Sequence, residues 1–275
     1  MTIYFKWPAT IDEWRQEPGS WSFHPNHPQI RRYLDTYPNA GTSEWITANA
    51  AFAGGTSNKG QRHFRSNGGG NPGTNHNSGG TNIIMSQKIP AEFYCRFYMR
   101  WSNGFRWDGD KPHYTKDNFW EVGEGVDRAF VFGHQGGNFG GYAGKATPNV
   151  NMPSTWSWKD ANNGSVLGAN VWHCYEYHIK IDKANDNNSV FQLWVGGKIR
   201  LDRTGPLGLK GDFTNMVLGS NQNKVLNASG EVSPPGDFKA WWTDYAELIV
   251  SDKYNGPIGG GGIVIPNPPT NLVVT

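Results

Sequence analysis

The stretch from Trp172 to Asp202, WHCYEYHIKIDKANDNNSVFQLWVGGKIRLD, constrains the fold more than any other segment of this chain. Apolar and polar residues alternate through it, as in strands that lay one face on a core and turn the other to water. Phe191, Leu193 and Val195 share one face of one strand, and Ile199 and Leu201 share one face of the next. The glycines between them predict a hairpin. A two-residue loop at Gly196-Gly197 would set Val195 opposite Lys198, mixing apolar with charged residues. A three-residue loop, Gly196 to Lys198, aligns Val195 with Ile199 and Leu193 with Leu201. The three-residue loop is the expectation, because a slip of one residue swaps the faces. The polar face carries His178, Lys180, Gln192, Trp194 and Arg200. Rings, cations and amides on a wet sheet surface suit the gripping of sugars.

The rest of the chain fits an all-β reading. Of its 275 residues, 36 are Gly and 17 are Pro, which disfavours long helices and demands many turns. Aromatics make up 14 %, with 13 Trp, so rings can fill a large core between strands. A net charge of +2 gives no electrostatic case for nucleic acid or an anionic membrane. No apolar run approaches the roughly 20 residues that span a bilayer. The opening MTIYFKWPATIDEW shows no basic segment followed by an apolar one, so no signal peptide is visible; a secreted origin would imply a trimmed N-terminus. Cys95 and Cys174 both fall in expected strands, and one disulfide or two buried thiols remain equally open.

Prolines split residues 1–50 into short pieces, with a short helix expected near Ile30–Thr36 and one opening strand. Residues 54–82, rich in Gly, Asn and Ser, read as a loop around a strand at Gln61–Ser66, and Arg62-His63-Phe64-Arg65 reads as a charged loop cluster. Further strands are expected at Ile83–Ser86, Ala91–Trp101, Phe119–Val122 and Arg128–Phe132, three within 172–202, then Met216–Gly219 and Phe238–Ser251. Gly136–Gly168 reads as loop. Past Tyr254 the composition shifts to Gly259–Gly262 and IVIPNPPTNLVVT. Residues 1–254 are therefore expected to form one domain, and 255–275 a Gly/Pro-rich linker toward a following module.

EFYCRFYMRW, taken with WHCYEYHIKID, FQLWVGGKIRL and WWTDYAELIVSD, resembles the concanavalin A-like lectin/glucanase jelly rolls. Among these it is most similar to polysaccharide-lyase-like and laminin-G-like domains. The resemblance runs over residues 40–252. It implies a two-sheet antiparallel jelly-roll β-sandwich with long loops and little helix, one sheet convex and one concave, with glycans along the concave face. The superfamily hosts lyases, hydrolases and non-catalytic binders, so fold alone leaves activity open.

Hydrolysis is disfavoured. The glucanases of the superfamily carry an E-x-D-x-x-E strand that this chain lacks, and Glu121 and Glu124 surround a glycine and suit a turn. Elimination from a uronate needs a group to neutralise the carboxylate, a base for the C5 proton and an acid for the leaving oxygen. Arg96 and Arg100 are candidate carboxylate clamps. His134, His178 and Tyr98 are the catalytic candidates, and Gln135, Lys180, Gln192 and Trp194 the remaining substrate-binding candidates. Tyr177 belongs to the same acid–base set but alternates toward the core. His134 and Gln135, in VFGHQGG, sit where a strand ends in glycines. Trp194 either stacks a sugar or caps the core, and Trp241 and Trp242 cannot both face inward on a regular strand. The resemblance also implies a structural calcium at Asp244 and no other cofactor. The expected protein is an extracellular monomer acting on a polysaccharide, acidic if it is a lyase, without nucleic acid or a membrane span. A non-catalytic carbohydrate-binding module and a laminin-G-like protein-interaction domain are the rival readings.

Overall fold

The computed structural model describes residues 1–7, 29–32, 43–47, 59–64, 81–84, 88–102, 114–121, 128–135, 138–142, 157–159, 170–208, 211–220 and 242–258. These contain strands and turns but no helix, and every strand pairing is antiparallel. The first sheet runs β13 (Lys198–Thr204), β12 (Val190–Val195), β11 (His173–Lys180), β6 (Glu92–Trp101), β15 (Trp242–Ser251), β4 (Lys59–Phe64) and β3 (Ser43–Thr47). A further strand, β1 (Ile3–Trp7), pairs with the second half of β15. The second sheet runs β10 (Ser157–Lys159), β9 (Asn138–Tyr142), β8 (Arg128–Gln135), β7 (Tyr114–Glu121), β14 (Asn215–Ser220), β5 (Thr81–Ile84) and β2 (Gln29–Arg32). The all-β, antiparallel two-sheet sandwich that the resemblance implies is present.

Period-two patterning builds the core. Phe93, Cys95, Phe97, Met99 and Trp101 of β6 line up with Tyr175, Tyr177 and Ile179 of β11 and Phe191, Leu193 and Val195 of β12. Trp120, Phe130, Phe132, Met216 and Leu218 meet them from the second sheet. Phe97 and Phe132 touch edge to face at 5.6 Å. Tyr177 lies wholly within this layer: its hydroxyl accepts from Trp120 Nε1 at 2.6 Å and donates to Asn118 Oδ1 at 2.5 Å. A buried phenol needs such partners, and these tie the sheets together. Cys95 shares the core face with Tyr177, whereas Cys174 lies opposite Tyr98 on the other face. Both thiols are free and buried, and opposite faces of one sheet preclude a bridge.

Four local expectations change. The hairpin uses the two-residue loop: Val195 pairs with Lys198, and Gly196 and Gly197 take φ of 59° and 78°. Positive φ at both positions matches the twist of a tight hairpin turn. A register shift between Leu193 and Trp194 inserts one extra residue in β13, restoring Leu193 opposite Leu201. Ile30–Arg32 belong to β2 rather than a helix, since β5 offers a pairing edge while one helical turn nucleates poorly; residues 33–36 lie outside the described residues. The interval expected as loop contains β9 and β10, whose glycines and brevity hide the strand signal. Arg62, His63 and Phe64 lie in β4, in keeping with the strand expected at Gln61–Ser66 and not with the charged loop cluster also read there; Arg65 falls outside the described residues.

β15 also changes phase. Thr243 and Tyr245 are buried with the core, then Leu248 and Val250, with a bulge between Ala246 and Ile249. Glu247, at φ 51°, takes up the slip. Gly60 of β4 sits opposite Ala246, where an added Cβ would lie 2.6 Å from the Tyr245 carbonyl oxygen. Gly60→Ala should therefore push β4 off β15 and lower stability by about 1–3 kcal/mol, read by urea denaturation.

Candidate functional site

Alternation turns Tyr94, Arg96, Tyr98 and Arg100 of β6 away from the core, beside Cys174, Glu176, His178 and Lys180 of β11 and Gln192 and Trp194 of β12. The sequence-predicted residues Arg96, Tyr98, Arg100, His178, Lys180, Gln192 and Trp194 thus share the outer face of the first sheet. Most are not open to water there.

Residues 252–258 fold back over the middle of that face as a strap. Glu176, 1 % exposed, accepts from the Asn255 backbone N–H at 2.7 Å, from Asn255 Nδ2 at 3.0 Å and from the Gly256 N–H at 2.8 Å. Arg96 Nη1 donates to the Gly256 carbonyl at 3.0 Å, and the Ile258 N–H donates to the Tyr98 hydroxyl at 2.5 Å. Gly256 has φ 70°, which lets its N–H and carbonyl serve both partners. Tyr254 packs on Trp194 with ring centroids 4.9 Å apart. Trp194 is therefore roofed by the strap, 8 % exposed. Burial raises the Tyr98 phenol well above its ordinary value and pushes the Cys174 thiol up to about 12, so neither is an available base here.

Nearer the β13 edge, a hydrogen-bonded row crosses four strands. Gln192 Nε2 donates to Asp202 Oδ1 at 3.0 Å and turns Oε1 to His178 Nδ1 at 2.9 Å. His178 Nε2 meets Glu92 Oε1 at 3.1 Å, and the ring stacks on Tyr94 at 4.2 Å. Both imidazole nitrogens are engaged by acceptors, which suits a sheet-bracing ring better than a proton shuttle. Lys180 stays exposed, 3.9 Å from Glu92 Oε2.

At the other end of the face, Asp244 is fully buried between two guanidiniums. Arg62 donates through Nε to Oδ1 at 2.8 Å and through Nη2 to Oδ2 at 3.0 Å. Arg100 donates through Nε and Nη2 to Oδ2 at 3.0 and 2.6 Å. The calcium expected at Asp244 does not fit these residues. Its oxygens already accept four N–H bonds, and a dication would sit against two positive charges. No group of three or more His, Cys, Asp or Glu side chains converges for a metal among the described residues. Trp242 is half-buried beside this cluster, and Trp241 lies outside the described residues.

His134 and Gln135 belong to the other sheet, as the last two residues of β8. Strand register sets His134 between Thr115 and Phe139, and Gln135 between Tyr114 and Asn138. His134 therefore lies on a different sheet from His178, Tyr98 and Arg96. Phe130 and Phe132 fill the core, so Gly133 holds the opposite phase of β8; it pairs with Gly140 of β9. Two facing glycines put no side chain at that point of the second sheet, and Gly133 is buried there. Lys116 is in register with Gly133, Tyr142 with Val131, and Lys159 with Asn138.

Sequence reasoning missed Glu176, Arg62, Trp172 and Trp242 as organising residues. Glu176 gave a usable signal, since a carboxylate inside an alternating aromatic strand must find a partner. The strap gave none.

No protein-family model matches the chain, and no curated protein matches its sequence. Among solved structures, an endo-β-1,4-glucuronan lyase from the fungus Trichoderma reesei is similar with a TM-score of 0.53 and 14 % identity, covering 92 % of this chain and 96 % of that one. The cellulose-induced protein Cip1 gives 0.47 at 13 % identity, covering 79 % and 88 %. An alginate lyase gives 0.44 at 13 %, covering 71 % and 82 %. At such identities the likeness is one of fold. The antiparallel two-sheet topology and the match over 92 % of this chain to the glucuronan lyase together establish a β-sandwich fold shared with that structure.

Proposed function

We propose that this protein binds an extracellular, uronate-containing polysaccharide on the outer face of its second sheet and cleaves it by β-elimination. The contrast between the two sheets carries this reading. The first sheet's polar face is roofed by the strap over Glu176, Arg96 and Tyr98. The second sets Gly133 opposite Gly140, so no side chain stands at that point between the rows of Val131 and Gln135.

Residues for the chemistry stand in three successive same-phase rows of this sheet, those of Gln135, Gly133 and Val131. Gln135 ends β8 one phase step along from Gly133 and supplies amide N–H groups for the uronate carboxylate. Neutralising that carboxylate makes the C5 proton acidic enough to leave. Lys116, level with Gly133, is assigned its removal, and Tyr142, in register with Val131, protonates the departing oxygen. His134 falls in the phase of Phe130 and Phe132, so proton transfer passes from it to these two. The fold match to a protein described as a glucuronan lyase supports the substrate class.

Elimination leaves a double bond absorbing at about 235 nm, a direct readout of the acid–base step. Glucuronan and alginate should yield that signal and a neutral glucan should not. Gln135→Ala should slow turnover by about a hundredfold, in line with loss of one charge-stabilising donor, while melting temperature holds. Retention of acidic polymers with no absorbance change would leave a binding module and remove the lyase assignment.

A further inference from the structure

We propose that Lys159 holds a second uronate carboxylate, two sugar residues from the one assigned to Gln135, so that the polymer lies across the strands of the second sheet. The inference rests on the role given to Gln135 above and begins from register. Gln135, the last residue of β8, is level with Asn138 of β9, and Asn138 is level with Lys159, the last residue of β10. Neither ladder carries a register shift, so the three residues form one row on one face. Phe130 and Phe132 of β8 are wholly buried in the core, which sets Gln135 and its row in the opposite phase.

Spacing then selects the ligand. Adjacent strands stand about 4.8 Å apart, so Gln135 and Lys159 are separated by about 10 Å across β9. Two residues of a β-1,4-linked pyranose chain advance by much the same length. In the extended ribbon of such a chain each sugar is turned over relative to the one before it. Carboxylates two residues apart therefore emerge on the same edge. A chain crossing the strands brings the second carboxylate level with Lys159 when the first is level with Gln135. The sugar between them turns its carboxylate away and offers hydroxyls at Asn138, whose amide both donates and accepts. A chain laid along β8 would instead meet Gly133 and Val131, which answer no carboxylate. The described strands β8, β9 and β10 contain no Asp or Glu to compete for the lysine. An ammonium meets a carboxylate as a point charge, so the contact tolerates the changing angles of a flexible polymer. It is made alike before and during elimination, and so lowers KM without raising kcat.

Cleavage of a glucuronan hexasaccharide, followed by absorbance at about 235 nm, tests the proposal. Lys159→Gln should raise KM by about tenfold, the size of one charge-assisted contact, while kcat holds. Added salt should narrow that gap, and Lys159→Arg should stay near wild type. Lys253→Gln, which removes one exposed charge from the strap on the first sheet, should keep the wild-type KM. Partial reduction of the carboxyls of glucuronan to alcohols should weaken wild type more steeply than Lys159→Gln, which no longer uses the second carboxylate. An unchanged KM in folded Lys159→Gln overturns the proposal. So does a loss confined to kcat, an equal loss in Lys253→Gln, or equal sensitivity of both proteins to carboxyl reduction. Should Lys159→Gln unfold, the backbone amide resonances of Asn138 and Lys159 in wild type decide. They must move with the hexasaccharide and not with a glucuronan disaccharide, which is too short to join both positions; any other outcome overturns the site. Binding without absorbance removes the lyase assignment alone, and the same comparisons are then read as dissociation constants by calorimetry. Absence of binding overturns both.

Discussion

Glu176→Ala is expected to release the C-terminal strap and to lower the unfolding free energy by about 3–5 kcal/mol, the range for breaking a buried charged network from one side. The carboxylate is the common acceptor for the Asn255 and Gly256 amides. Without it, those donors and the 5 % exposed Arg96 lose their organising charge. Urea denaturation measures the loss. Amide hydrogen exchange localises it, with Asn255, Gly256 and Ile258 exchanging faster while the core strands keep their rank order. Trp194 emission should shift as Tyr254 leaves its ring. Wild-type protection at these amides would show that the strap stays in place by packing alone.

The same carboxyl sets a pH dependence with a definite sign. Burial pushes its pKa above the ordinary 4.5, outweighing the lowering by the strap amides and Arg96. The native chain then holds this proton to higher pH than the unfolded chain. Its contribution is complete below 4.5 and is lost as pH climbs through the raised value. Wild type should therefore lose stability relative to Glu176→Gln as pH rises through that window. The difference between the two curves isolates Glu176 from Asp182, Asp212 and Asp252, whose lowered values act in the opposite direction.

Asp244→Ala should cost about 2–4 kcal/mol, a little under the full buried-pair range because both guanidiniums reach water. The substitution removes four N–H acceptor contacts and leaves Arg62 and Arg100 facing each other across β15. Like charges at that spacing repel, so added salt should shrink the deficit. The double variant Asp244→Ala/Arg100→Ala should recover part of it, since removing one cation relieves the other. A deficit indifferent to both salt and the second substitution would mean that Asp244 contributes through packing rather than charge.

Strand identity was legible because each strand of the first sheet buries one face. β6, β11, β12 and β15 announce themselves in the order of their residues, and so does the set facing away from the core, from Arg96 to Trp194. The hairpin shows the limit of that logic. Strict alternation favoured a longer loop, whereas the glycines took the tight turn and a bulge in β13 restored the pairing of Leu193 with Leu201.

What the sequence by itself determined is the all-β strand pattern and the face on which the described side chains of β6, β11 and β12 lie. Both follow from a period of two residues, which is local. Only the tertiary structure decided that His134 belongs to a different sheet from His178. It alone laid Gly256, 160 residues away, across Arg96, and set Asp244 between two arginines. Strand order and long-range closure depend on which distant segments bury each other's polar groups, and no pattern within a single strand records that choice.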